Sequence, residues 1–276
     1  SDLIESKKPL TDDAIFRIAS MTKPICAVAA MILWEEGLFE LKDHVYRYIP
    51  SFRDQKVFRS GSTNAPRYDA VNEPMEMWHL FTHTAGLTYG FMYSHSVDQM
   101  YRNAGFEWGT PRDLDLAGIC DLLASLPLLF QPGAEWNYSM SIDVLGRVVE
   151  VLSGMKLGEF MQKRIFGPLG MMSTTFDLER VLARHHAMPH GLDREGRPAP
   201  GLYIGDYPAM SPADHTASSI LSLSRRALSG PSSPGKSMPA RRAGVRIAPK
   251  SPSSLNAVKR HWPKSGSFRL MEERDR

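Results

Sequence analysis

Cysteine is nearly missing from this chain. Two thiols, Cys26 and Cys120, stand among 276 residues. Two excludes a disulfide framework, and their spacing gives no metal-ligand pattern. Cys26 sits in an apolar run and reads as a small buried residue. Long hydrophobic runs are missing too. None reaches the roughly 20 residues a membrane-spanning helix needs, so no membrane span is expected. Ser1 to Leu10 is polar and charged, without the apolar stretch of a signal peptide. A cytoplasmic bacterial location is the matching expectation. The chain opens on serine rather than methionine, which fits a processed or cloned fragment.

Net charge is small, +3, but it is unevenly spread. Ser211 to Arg276 holds 13 Lys+Arg and 4 Asp+Glu, a net of +9. The remainder holds 20 basic and 26 acidic residues, a net of −6. A basic tail can attract nucleic acid nonspecifically. No recognised reader motif accompanies it, and no specific nucleic-acid partner is expected. At 42% hydrophobic and 23% charged residues, the chain has material for a sizeable core.

What is present is organised around Ser20-Met21-Thr22-Lys23. Thr11-Asp12-Asp13 reads as a turn and Ile15 to Ile18 as a short strand. Ser20 is a residue type that caps helices, and Pro24 falls where an early proline costs little. Ile25, Val28, Ala29, Ile32 and Leu33 recur at helical spacing, and Gly37 stops the run. Residues three apart on a helix share a side, so Lys23 can set its amine beside the Ser20 hydroxyl. An amine beside a serine is one way to activate a nucleophile. Alone, Ser-x-x-Lys is more often a cap followed by a solvated lysine; the rest of the chain decides.

Ser51 to Glu73 carries charges, Gly61, Asn64 and Pro66, and reads as a loop. Trp78, Leu80 and Phe81 suit a short helix with Gly86 at its end. His83, a lone histidine before a threonine, reads as a hydrogen-bonded structural group rather than a base. Tyr89 to Glu107 is rich in aromatics and methionine, a composition that packs or lines an acyl pocket. Leu114 to Pro127 reads as a helix. Tyr138 follows the turn at Gln131-Pro132-Gly133. It stands just ahead of a helix marked by Ile142, Leu145, Val149 and Leu152 and closed by Gly154. A tyrosine there points into a cleft or sits in the core with its hydroxyl satisfied. Leu157 to Ile165 is a further helix.

Taken in order, Ser-Met-Thr-Lys-Pro, Leu-Phe-Thr-His-Thr-Ala-Gly-Leu and Phe-Gly-Pro-Leu-Gly-Met carry a resemblance. Residues 11 to 180 resemble the serine β-lactamase-like hydrolases, and most of all the carboxylesterases of that fold, the family VIII esterases. The resemblance implies an acylated nucleophile at Ser20, with Lys23 and Tyr138 as its catalytic partners. It implies hydrolysis of short-chain carboxylic esters, a small-molecule ester as the partner, and no metal or cofactor. It also implies an α/β (α+β) fold, an antiparallel sheet flanked by helices plus an inserted all-helical region. On that reading residues 1-69 hold the nucleophile helix within the α/β region, 70-185 are helical, 186-228 return to the α/β region, and 229-276 form a poorly ordered basic tail.

Two departures are visible. Class C β-lactamases carry Tyr-x-Asn, and Met140 takes the place of that asparagine here, which favours the esterase branch. β-Lactamase or D-alanyl-D-alanine peptidase-like activity remains the alternative. The second departure is the tail. From Ser211 on, 14 serines and 7 prolines in 66 residues show little strand alternation. Ser211 to Leu228 reads as one helix. Lys264-Ser265-Gly266 reads as a chance triplet rather than the family's third motif. The sheet is therefore expected to be incomplete, the composition resembles that of a shifted reading frame, and a catalytically incomplete fragment or pseudoenzyme is the remaining reading.

Overall fold

A computed structural model describes residues 15–107, 109–111, 113–176, 190–192, 198–200 and 222–224. Strand β1 (Ile15–Arg17) leads through a single 3-10 turn into helix α1 (Thr22–Glu35). A hairpin, β2 (Lys56–Ser62) and β3 (Ala65–Ala70), follows. Helices α2 (Met77–Thr82), α3 (Ser96–Asn103), α4 (Leu116–Ser125), α5 (Ser141–Ser153) and α6 (Leu157–Met161) come next. Short strands β4 (His190–Leu192), β5 (Pro198–Pro200) and β6 (Ser222–Ser224) complete the described elements. Every strand pair is antiparallel: β1 with β6, β2 with β3, β4 with β5.

Helix α5 is the hub. Ile142, Val144, Leu145, Val148 and Val149 are all buried, and α1, α2, α4 and α6 pack around it. A helix buried nearly all round must be met by apolar faces on several sides. Helix α1 meets it with small residues. Cys26, Ala29 and Ala30 are each at most 1% exposed. Small side chains let two helix axes approach closely. The Cys26 thiol reaches the Ile142 carbonyl at the start of α5, at 3.6 Å.

Four expectations change. The buried face of α1 is Thr22, Lys23, Cys26, Ala29, Ala30 and Leu33, while Val28 is 50% exposed. The apolar spacing marked the correct helix but a stripe rotated from the true contact. Ser20 is not the cap of α1: Met21 occupies that position, and no side chain caps the helix. Residues 56–70 form a hairpin rather than a loop. Of its residues only Val57 is buried, and Phe58 is half-buried, so no alternating apolar pattern existed to find. The hairpin is tied in by the carbonyl of Leu128, which accepts from Phe58 N–H, and by Lys56, whose carbonyl accepts from Leu128 N–H. Within the stretch expected as a helix from Ser211 to Leu228, Ser222–Ser224 is a strand, with Leu223 opposite Phe16. Lys264-Ser265-Gly266 and the 229–276 tail lie outside the described residues. No helix among the described residues is long and apolar enough to cross a membrane.

The turn after α2 is a tight fit. Gly86 has φ of +83°, and a Cβ there would meet the Phe130 carbonyl oxygen at 2.4 Å. Its own carbonyl accepts from Leu129 N–H at 2.6 Å. Gly86→Ala is expected to lower unfolding free energy by about 2–4 kcal/mol through backbone strain and this clash. A urea midpoint matching the parent would show the turn to be looser than described.

Candidate active site

Three side chains from two distant segments converge. Ser20 lies in the 3-10 turn Ala19–Met21, directly after Ala19, a non-glycine residue with φ of 42°. A left-handed alanine is strained, and such positions gather at functional sites. The turn leaves the Ser20 hydroxyl uncommitted to helix capping. Tyr138 donates its phenolic hydrogen to Ser20 Oγ at 2.6 Å. Lys23 Nζ donates to the same oxygen at 3.4 Å. Lys23 is only 8% exposed. Its ammonium lies 4.9 Å from the Tyr138 ring centre and 5.6 Å from that of Tyr89. Aromatic faces attract a cation, most strongly where water is excluded. Among the described residues no carboxylate forms an ion pair with Lys23.

Tyr89 belongs to the aromatic stretch read from sequence as packing or pocket lining. Its ring stacks on Phe91 at 4.7 Å and lies 5.4 Å from Tyr138. Beneath it, fully buried Asp98 accepts from the Thr88 hydroxyl, from Ser94 N–H and Oγ–H, and from His95 N–H. A buried carboxylate with four donors is a rigid fixing point. Sequence reading missed Asp98, because an aspartate near a helix start looks like any surface residue.

His83 is closer to the cluster than its sequence context indicated. It ends α2 with a left-handed backbone, φ 56° and ψ 33°. Its Nδ1 is 3.2 Å from Ser139 Oγ, and its ring is 5.0 Å from that of Tyr138. Trp136, 66% exposed, stands edge-on to it at 6.3 Å. Met140, which follows Tyr138-Ser139, is buried in the apolar core at 2% exposure. The thiol of Cys26, one turn along from Lys23, is pushed well up by burial first and Asp143 second, against the opposing pull of Lys23. It is therefore held as an unreactive thiol.

The arrangement and fold together define a class: a helix-rich protein with small antiparallel sheets and a Ser-x-x-Lys turn facing a tyrosine, the β-lactamase-like fold. The chain belongs to the Beta-lactamase family, which it matches over residues 3–264. It is 35% identical over 201 residues to esterase EstB of Burkholderia gladioli, covering 71% of this chain and 46% of EstB. Its structure is similar to simvastatin synthase from Aspergillus terreus, with a TM-score of 0.67 and 27% identity over 81% of this chain and 55% of that one. It is also similar to EstCE1, a hydrolase with promiscuous acyltransferase activity, with a TM-score of 0.64 and 26% identity over 80% of this chain and 58% of that one. The chain spans about half the length of the curated relatives it matches.

Burial, and after it the Lys23 ammonium, push the His83 imidazole down to about 4. The unfolded chain binds that proton near the ordinary histidine value of about 6.5. Between those values the unfolded state holds more protons than the folded one, so stability falls as pH falls. Among the described residues, the charged and titratable groups facing His83 are Lys23 from α1 and Tyr138 from the segment before α5. The expected outcome is a loss of stability from about pH 6.5 down to about pH 4 that is reduced in His83→Asn. Equal slopes in urea titrations of both proteins across that range would contradict the assignment.

Proposed function

We propose that the protein is a serine carboxylesterase acting through an acyl-enzyme on Ser20. The observation that carries this is the convergence of the Tyr138 phenol and the Lys23 amine on one exposed hydroxyl oxygen. Tyr138, as phenolate or through Lys23, takes the Ser20 proton as Oγ attacks the ester carbonyl carbon. The carbonyl π pair moves onto oxygen. Collapse expels the alcohol, which takes up the proton, and Ser20 is left acylated. Water repeats the sequence on the acyl-enzyme and releases the acid. Both groups reach the same oxygen, so the role of base is assigned to the pair. One donor to the oxyanion is the Ser20 N–H. The other is expected from beyond residue 200, where only Ser222–Ser224 is described.

Small aromatic esters with short acyl chains fit the site best. Tyr89, Phe91 and exposed Trp136 give it aromatic surface around Tyr138. The similarity to EstB supports ester hydrolysis, and the similarity to EstCE1 supports transfer of the acyl group to an acceptor other than water as well. Buried Met140 offers no amide where class C β-lactamases carry one, so β-lactams are poorer substrates in this reading. No nucleic acid enters it.

Two outcomes are expected. A fluorophosphonate labels Ser20 and no other residue, and Ser20→Ala abolishes labelling; a mapped adduct elsewhere would overturn the assignment. Tyr138→Phe lowers kcat on a short-chain nitrophenyl ester by roughly 10²–10⁴, and that ester is turned over faster than a chromogenic cephalosporin. Faster cephalosporin turnover would favour the β-lactamase reading instead.

A further inference from the structure

His83 holds both neighbours of Tyr138. The His83 carbonyl accepts from Asn137 N–H at 3.0 Å. The His83 ring meets Ser139 Oγ at 3.2 Å. These two contacts straddle Tyr138, one on the residue before it and one on the residue after. The ring itself lies against the Tyr138 ring at 5.0 Å with a tilt of 50°. The chain of hydroxyls continues from Ser139 to Ser141 Oγ at 2.8 Å, the first residue of α5. Both serines are fully buried. The other contacts of this turn use backbone carbonyls: the Leu87 carbonyl accepts from Asn137 Nδ2 at 3.1 Å, the Thr84 carbonyl from Gly133 N–H at 2.7 Å, and the Thr88 carbonyl from Met140 N–H at 3.4 Å. Among the described residues, His83 is the one whose side chain, from this turn, bonds a residue adjoining the phenol.

The backbone at His83 is unusual in a way that fits the task. A non-glycine residue at φ 56° is strained. Glycine or asparagine would occupy that conformation more easily. A histidine kept there supplies something the cheaper residues lack. It supplies an aromatic ring against Tyr138 together with a ring nitrogen within reach of Ser139. Lys23 adds a constraint. A neutral imidazole can hold this place beside the ammonium without a second positive charge in the cluster, and burial and Lys23 both favour the neutral form.

We infer that His83 is a positioning residue for the Tyr138 phenol: its neutral ring and its carbonyl clamp residues 137 to 139, so that the phenolic oxygen stays on Ser20. It does not touch the reacting atoms. The inference rests on the role given to Tyr138 in the proposed function. A phenol displaced by about 1 Å from its partner loses on the order of 10²-fold in rate, whereas substrate contacts are unaffected. His83 therefore acts on kcat rather than on KM.

The test uses two substitutions that both tolerate a left-handed backbone, so that strain does not separate them. His83→Gly removes the ring, and His83→Asn keeps a polar group near the Nδ1 position. With the full chain and a short-chain nitrophenyl ester, His83→Gly is expected to lower kcat by roughly 10- to 100-fold with KM within about twofold. The rate of Ser20 labelling by a fluorophosphonate should fall in parallel. His83→Asn should recover most of both. Ser139→Ala should lower kcat as well, and the double variant Ser139→Ala, His83→Gly should be no worse than His83→Gly alone, because both remove one bond. Thermal midpoints, read alongside, separate misfolding from misplacement: a Gly variant that unfolds early is replaced in the comparison by His83→Asn against His83→Leu, where recovery by asparagine alone is still expected. If Tyr138→Phe is inactive but His83→Gly keeps the parental kcat and labelling rate, the positioning role is wrong and the proposed function stands. If Tyr138→Phe keeps the parental rate, the proposed function fails and the positioning role with it. Additive loss in the double variant also overturns the clamp.

Discussion

The site depends on how closely α1 can lie on α5. Ser20 and Lys23 come from the start of α1, and Tyr138 stands three residues before α5 begins. Neither segment carries a usable group without the other. The contact is built from Cys26, Ala29 and Ala30 on one side and the fully buried wall of α5 on the other. A larger residue at any of these three would push the axes apart, and dense interiors do not absorb extra methylenes freely. The 2.6 Å contact between phenol and serine is thus set by side chains that take no part in chemistry. The same contact explains Cys26. Its thiol spends its weak donor on the Ile142 carbonyl, where a larger apolar side chain would overfill the space.

Much of this was legible in the sequence, and the reasons differ by element. Ser20, Lys23 and Tyr138 were readable because short motifs in fixed order constrain where they fall. Helix α5 was readable because Ile142, Leu145 and Val149 repeat at helical spacing and Gly154 ends the run with φ of +67°. The hairpin at 56–70 was not, since strands that bury only Val57 carry no pattern, and Pro66 argues against a strand unless it lies at an edge. Ser20 was misread as a cap because serine before a helix usually is one. Here the strained turn at Ala19 diverts it, and backbone strain leaves no trace in residue type. Asp98 was missed, and the partners of His83, read as a hydrogen-bonded group, were not foreseen, for a related reason. What marks them is the set of partners that folding brings to them: Ser139, 56 residues on from His83, and Thr88, ten residues back from Asp98.

The electrostatics follow from that geometry. A lysine at 8% exposure without a carboxylate partner among the described residues is costly to hold as an ammonium. The faces of Tyr89 and Tyr138 offset part of that cost. The same ammonium acts on its neighbours. It opposes the upward push on Cys26 and adds to the downward push on His83. Burial first, and this ammonium second, leave the nearby imidazole neutral.

Two non-glycine residues with left-handed backbones, Ala19 and His83, sit at the two halves of the cluster. One precedes the hydroxyl and the other bonds to both neighbours of the phenol. Strain of this kind persists only where surrounding contacts over-determine it. Around His83 those contacts are identifiable: the capped helix α2, the Gly86 turn against Phe130, and the bonds to Asn137 and Ser139. Around Ala19, those among the described residues include the Met21 N–H to Ile18 carbonyl bond at 2.9 Å, the Thr22 N–H to Ala19 carbonyl bond and the pairing of β1 with β6. The serine side thus depends in part on the strand ahead of it. Since β1 takes its partner from residues 222–224, the chain beyond residue 200 bears on the position of Ser20 through backbone pairing, whatever it adds to the cleft itself.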